Sequence, residues 1–195
     1  MRYEVLRQLV HFSGIFLILL SYFINKLYLS MLFLFISVFF FLYSIYIRKV
    51  KGHGFLYKIE HALRNIALKL ERKNAKKPFI GAFFFYFSLF LVFLLFPSRI
   101  AAASGAMLAV GDSLSTLVGK RFGKHKIFKK SVEGSIACFF GSFIGGMLFL
   151  PYHLVIIGSV VATLVELCIK IDDNLTIPLS SAFVMYLASF TLNLL

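Results

Sequence analysis

Eight carboxylates stand in a chain of 195 residues that also carries 21 Lys and Arg, so each acid is informative about chemistry. They are Glu4, Glu60, Glu71, Asp112, Glu133, Glu166, Asp172 and Asp173. Asp112 lies within an apolar stretch, in Gly111-Asp112-Ser113, eight residues before Lys120. On a continuous helix that places it ~12 Å from the basic segment that follows. An ionisable group at such depth costs about 2.5 to 3.5 kcal/mol on insertion scales and by default marks a site. The alternative is a carboxylate paired with a base to lock helices together.

The basic segment runs from Gly119 to Ser131 and holds Lys120, Arg121, Lys124, Lys126, Lys129 and Lys130. Its cations, the glycines Gly119 and Gly123, and the helix start at Ser131-Val132-Glu133-Gly134 suit a polyphosphate. Lys and Arg neutralise it, glycines let backbone N–H groups approach, and a helix N-terminus presents a positive dipole end. The plain alternative is a membrane anchor touching lipid phosphates. A polyphosphate brings a divalent cation, and Mg²⁺ takes one or two carboxylates together with phosphate and water. Glu166 and Asp172-Asp173-Asn174 offer such oxygens, although Asp-Asp-Asn is also ordinary turn chemistry. There is no P-loop, since Gly119-Lys120 and Gly123-Lys124 lack the upstream glycine and the following Ser or Thr. Protein-kinase signatures are absent as well.

These groups must be positioned by apolar elements. The chain is 60% hydrophobic and 15% charged, with mean hydropathy +0.89 and net charge +13. That composition implies a multi-pass integral membrane protein and excludes a soluble enzyme, a secreted disulfide scaffold and a disordered polybasic protein. It also makes a nucleic-acid partner an unnatural use of the positive charge. Seven stretches are long and apolar enough to read as helical spans, about 9–25, 28–47, 79–96, 100–118, 132–150, 152–168 and 177–195. The expected fold is an all-α transmembrane bundle forming one domain over 1–195. Nineteen Lys and Arg fall on one side of this topology, and only Lys26 and Arg99 on the other. The positive-inside rule then makes the N-terminus cytoplasmic.

All eight acids fall on that same side. In the long loop 48–78, Phe55, Ile59, Ala62, Leu63, Ile66 and Leu70 recur at helical spacing. They predict an interfacial amphipathic helix, either a plain anchor or a guide for a lipid entering sideways. Cys138 and Cys168 lie in apolar stretches without metal-ligand spacing and read as buried thiols.

With these segments laid out, the pattern resembles the membrane CTP-dependent lipid-alcohol kinases: dolichol or polyprenol kinase, phytol kinase and CTP-dependent diacylglycerol kinase. It is more distantly similar to the phosphatidate cytidylyltransferases. Four elements carry the resemblance. They are Glu4, Arg7, His11 and Gly14; Gly111-Asp112-Ser113 leading to Gly119-Lys120-Arg121-Phe122-Gly123-Lys124; Lys130-Ser131-Val132-Glu133-Gly134-Ser135; and Glu166 with Asp172-Asp173-Asn174 through Pro178, which is expected to shape the turn into the last span. Gln8 stands where the family commonly has a second basic residue. The resemblance implies a kinase using CTP and Mg²⁺ on a membrane lipid alcohol. Asp112, Lys130 and Glu133 would be catalytic. Gly111, Ser113, Gly119, Lys120, Arg121, Gly123, Lys124, Ser131 and Gly134 would bind nucleotide phosphate. Asp112, Glu166, Asp172, Asp173 and Asn174 would hold metal, with Glu4, Arg7 and His11 nearby. The alternatives are a CDP-lipid synthase using the same acids, and a non-enzymatic membrane protein or transporter. The acids gather at one face and no internal repeat is visible, which counts against transport.

Overall fold

The computed structural model describes residues 2–49, 79–128, 130–169 and 171–191. The expected amphipathic helix of loop 48–78, together with Lys129 and Lys170, lies outside the described residues.

Every one of the seven apolar stretches falls on a helical segment. These are α1 (Arg2–Leu19), α2 (Lys26–Lys49), α3 (Ile80–Leu95), a composite rod over 98–122, α6 (Val132–Gly146), α7 (Tyr152–Cys168) and α8 (Asp173–Thr191). The rod is α4 (Ser98–Ala106), a π-helical stretch at Met107–Asp112, and α5 (Ser113–Phe122). Among the described residues, three helical segments are long and apolar enough to cross a membrane, 4–22, 26–46 and 98–122, while 80–95, 132–146 and 152–168 are shorter apolar helices.

The boundaries differ from the sequence expectation where caps decide them. The segment expected to be a loop from 119 starts as helix, because α5 continues through Lys120 and Arg121 to Phe122. Beyond it, β1 (Lys126–Ile127) and β2 (Lys130–Ser131) form a two-stranded antiparallel hairpin. At the other end of the site Asp172 starts α8 early. Its side chain accepts from the Asn174 N–H at 3.0 Å, and its carbonyl accepts from Leu175 and Thr176. Asp173 and Asn174 therefore occupy the first helical turn rather than a loop. Pro178 lies inside the helix instead of shaping its entry, leaving the Asn174 carbonyl without its usual i+4 donor.

The rod and α6 run antiparallel and very close. A Cβ on Gly141 would lie 3.0 Å from Gly111 Cα, one on Gly145 would lie 2.7 Å from the Ala106 carbonyl oxygen, and one on Gly134 would lie 3.2 Å from Gly119 Cα. Small residues at these three levels let the backbones touch, the usual device for helices that pack without water. Helix α7 packs on α6, α8 packs on α7 and α3, and α1 crosses α5 and the π stretch. Helix α2 has α3 as its main neighbour.

Candidate functional site

One end of the bundle collects charge. At its centre is Lys130, on β2, whose Nζ donates to Glu166 Oε1 at 2.7 Å and Asp173 Oδ2 at 2.9 Å. Three elements meet there, because the hairpin brings Lys130 to the end of α7 and the start of α8. Glu166 is only 1% exposed, and its Oε1 also accepts from the Ser115 hydroxyl at 2.7 Å. Burial opposes the Lys130 charge, but the Glu166 hydrogen bond and the Asp173 charge outweigh it, so the ammonium holds its proton more tightly than usual. One cation does not neutralise two acids. Burial pushes Asp173 up to about 6, with Lys130 pulling it down and the charges of Asp112 and Glu166 adding to the rise.

Asp112 ends the π stretch, within electrostatic reach of Asp173. A π-helical turn widens the helix by one residue and recurs at functional sites. Here it ends on Asp112, directly after the buried run Met107–Gly111. His11 of α1 places Nε2 3.7 Å from Asp112 Oδ2, and its ring packs edge-on against Phe85. Asp172 acts on His11 electrostatically, so the α8 start and α1 share this neighbourhood.

A second charged knot ties α1 to the rod. Lys120 Nζ lies 2.6 Å from Glu4 Oε2, while Arg7 and Gln8 address Glu4 Oε1. The element around Glu4, Arg7 and His11 thus meets both the basic segment and Asp112.

Other predicted residues have more local partners. Ser131 caps α6 by accepting from the Gly134 N–H at 3.2 Å. Glu133 turns to the hairpin and accepts from the His125 N–H at 3.2 Å, with the His125 ring Nδ1 at 2.8 Å. The Ser113 hydroxyl donates to the Ala109 carbonyl at 2.7 Å and reaches the Gln8 carbonyl at 3.3 Å. Gly119 and Gly134 face each other and Ser131, and the Gly123 N–H donates to the Gly119 carbonyl. Gly111 is filled against Ser142. Arg121 and Lys124 are exposed, the former with its guanidinium 5.4 Å from the Phe122 ring centroid.

Sequence reasoning passed over Ser115 and noted Gln8 only as a departure from the family pattern. Ser115 follows Asp112 by three residues, so both fall on one side of the rod, a spacing that could have flagged it. Gln8 is 3% exposed; its backbone carbonyl accepts from the Ser113 hydroxyl while its side-chain amide donates to Glu4, so one neutral residue serves both partners at a buried crossing.

Among the described residues no three His, Cys, Asp or Glu side chains converge as a ready metal cage. Among the buried side-chain atoms without a hydrogen-bond partner, which also include Ser135 Oγ, Ser159 Oγ and a ring nitrogen each of His11 and His153, are Glu166 Oε2 and Asn174 Oδ1 at this end of the bundle. The Asn174 amide nitrogen donates to Asp172 Oδ1 at 2.8 Å, which assigns the other amide atom as the oxygen. Mg²⁺ needs few protein oxygens because phosphate and water complete its shell, so this donor set fits it.

Several proteins are similar to this chain at modest identity. An uncharacterised protein of Rickettsia prowazekii is 29% identical over 188 residues, covering 91% of both chains. The phytol kinase of Synechocystis is 34% identical over 104 residues, 46% of this chain and 45% of that enzyme. A CTP-dependent diacylglycerol kinase of Schizosaccharomyces pombe is 30% identical over 140 residues, 60% of this chain and 64% of that protein. The chain is related to the CTP-dependent lipid kinases. It spans about half the length of the phytol kinase it matches. No family model matches, and no solved structure does.

Proposed function

We propose that this chain transfers the γ-phosphoryl group of CTP to the hydroxyl of a membrane lipid alcohol at the cytoplasmic face. The acceptor class is polyprenol or dolichol, a phytol-like isoprenoid alcohol, or diacylglycerol. The observation that carries the reading is the meeting of Lys130, Glu166 and Asp173 beside Asp112, at one end of an apolar bundle. The similarity to enzymes named phytol kinase and CTP-dependent diacylglycerol kinase supports the same reaction class.

Phosphoryl transfer asks a protein for positioning and charge neutralisation more than for covalent chemistry. Lys130 and Lys120 are placed to neutralise phosphate oxygens, with the exposed Arg121 and Lys124 as outer contacts. Asp112 accepts the proton of the lipid hydroxyl as its oxygen bonds to the γ-phosphorus and the bond to CDP breaks. His11 of α1 stands beside Asp112, its Nε2 3.7 Å from Oδ2. Glu166, Asp173 and Asn174 would hold Mg²⁺, which supplies charge neutralisation on the phosphates. An apolar groove of about 330 Å³ between α6 and α7, lined by residues such as Val132, Ile136, Phe140, Val160 and Leu164, opens beside the charged end. It gives a hydrocarbon tail a place next to the phosphate site. Seven spans with a cytoplasmic N-terminus would put this end at the inner leaflet, where both CTP and lipid arrive.

Purified protein in detergent, with γ-labelled CTP, Mg²⁺ and a panel of lipid alcohols, tests the reading. Label in the lipid with release of CDP is expected. No labelled lipid from either CTP or ATP would remove the kinase assignment, and pyrophosphate release with a CDP-lipid product would replace it by nucleotidyl transfer.

A further inference from the structure

Both lysines on which the phosphate site depends are already taken: Lys120 by Glu4, and Lys130 by Glu166 and Asp173. We infer that Lys130 is a resident counter-ion occupying the divalent-cation position between Glu166 and Asp173, which it vacates when cation and polyphosphate bind together. The inference rests on the kinase reading of this end of the bundle and deepens it.

The Lys130 ammonium sits as a bound cation would. It touches one oxygen from each of two carboxylates that belong to different helices, at 2.7 and 2.9 Å. The donors around it are hard oxygens, and two more nearby side-chain oxygens, Glu166 Oε2 and Asn174 Oδ1, are buried and unpartnered. Hydrogen-bonding groups left so in a folded interior call for an explanation, and a ligand that is not protein supplies one. Lys130 by itself does not satisfy them.

Charge balance points the same way. One ammonium against two carboxylates leaves a single net negative charge, and withdrawing it leaves two, the match for a divalent cation. The withdrawn ammonium needs a new anion, which a polyphosphate provides. Lys130 is able to move: its side chain is 34% exposed, it has a flexible four-carbon stem, and it stands on a two-residue strand of a hairpin. Glu166, at 1% exposure and pinned by Ser115, is not. The mobile partner of the pair is therefore the cation. Each of the two ligands then relieves a cost imposed on the other, so each tightens the other's binding by the same factor. Free cation alone competes poorly with Lys130, which keeps half of the acids' charge neutralised between turnovers.

The test uses the full chain in detergent, without lipid or nucleotide, and Mn²⁺ as the probe, followed by the electron paramagnetic resonance signal of free Mn²⁺. Lys130→Met is expected to bind Mn²⁺ at least tenfold more tightly than the unaltered protein, and Lys130→Met/Glu166→Gln to lose that gain. Equal affinity in the unaltered protein and Lys130→Met overturns the inference. Should Lys130→Met fail to fold, a measurement on the unaltered protein decides: acylation of Lys130 by a water-soluble amine reagent, read by mass spectrometry. Saturating Mn²⁺ is expected to raise labelling several-fold, and adding a non-hydrolysable CTP analogue to suppress it again. Unchanged labelling, or no Mn²⁺ binding at this end of the bundle, overturns the inference. Because neither readout involves catalysis, exchange without lipid phosphorylation would remove the kinase reading alone, and phosphorylation without exchange would remove this one alone.

Discussion

The rod over 98–122 and helix α2 are both long and apolar, yet the protein uses them in opposite ways. In the rod 78% of the most apolar window is buried, against 28% in α2. The rod is rich in Ala, Ser and Gly and touches α6 backbone to backbone at Gly111, Ala106 and Gly119. Helix α2 is lined with aromatics that meet α3 through rings, as Phe40 does with Tyr86 at 5.7 Å and Phe33 with Phe93 at 5.5 Å. Its other face exposes Phe35, Phe39 and Leu42. Small residues give close approach and a unique register, and that is where Asp112, Ser115 and Lys120 are carried. Large flexible-fitting rings fill space and tolerate change. Position at the charged end is bought by the first kind of packing, while the second kind presents an apolar exterior.

That contrast is broken most severely at Asp112. Asp112→Asn keeps size and lowers the burial penalty, so the protein should insert and melt as before while turnover falls by roughly 10² to 10⁴, the usual worth of an acid–base group. Near-normal turnover in the γ-phosphate assay would demote Asp112 to a structural acid. Next comes Gly111→Ala, whose added methyl would lie 2.2 Å from Ser142 Oγ. Overpacking there should cost about 1 to 3 kcal/mol, read as a lower melting temperature in detergent, and Ser142→Ala in the same chain should recover part of it.

A pH titration sharpens the electrostatic half of the comparison. Asp173, pushed up to about 6, is neutral below that value and charged above it. On the metal-holding role proposed for Asp173 activity needs the charged form, so it should climb roughly tenfold between about pH 5 and 7 and level off, and Asp173→Asn should abolish that limb. The sign for folding is opposite. The folded acid binds its proton more tightly than the unfolded one, so its contribution to stability is present below about pH 4 and is lost as pH rises through about 6. The smallest effect belongs to α2: Phe40→Leu keeps an apolar side chain among rings and should cost less than about 1.5 kcal/mol, with turnover unchanged. A larger loss there, or a drop in activity, would show that the aromatic side also sets the site.

Much of this arrangement was legible from residue types. Apolar runs marked the seven helical segments among the described residues, because a helix satisfies its own backbone wherever it is buried. The scarcity of acids pointed to Asp112, Glu166 and Asp173, since an uncompensated carboxylate in an apolar stretch is expensive. Helix ends were less legible. The Asp172 cap and the continuation of α5 through Lys120 depend on which local hydrogen bond wins, and Asp-Asp-Asn fits a turn and a helix start equally well.

By itself, then, the chain's chemistry determined a helical, membrane-compatible bundle and singled out its few acids, because hydropathy and charge act residue by residue. Only the tertiary structure decided the pairing. Lys130 meets Glu166 and Asp173 across 36 and 43 residues of chain, and Lys120 meets Glu4 rather than a nearer acid. No local rule carries that information, because an ion pair is selected by which helices the glycine contacts allow to touch.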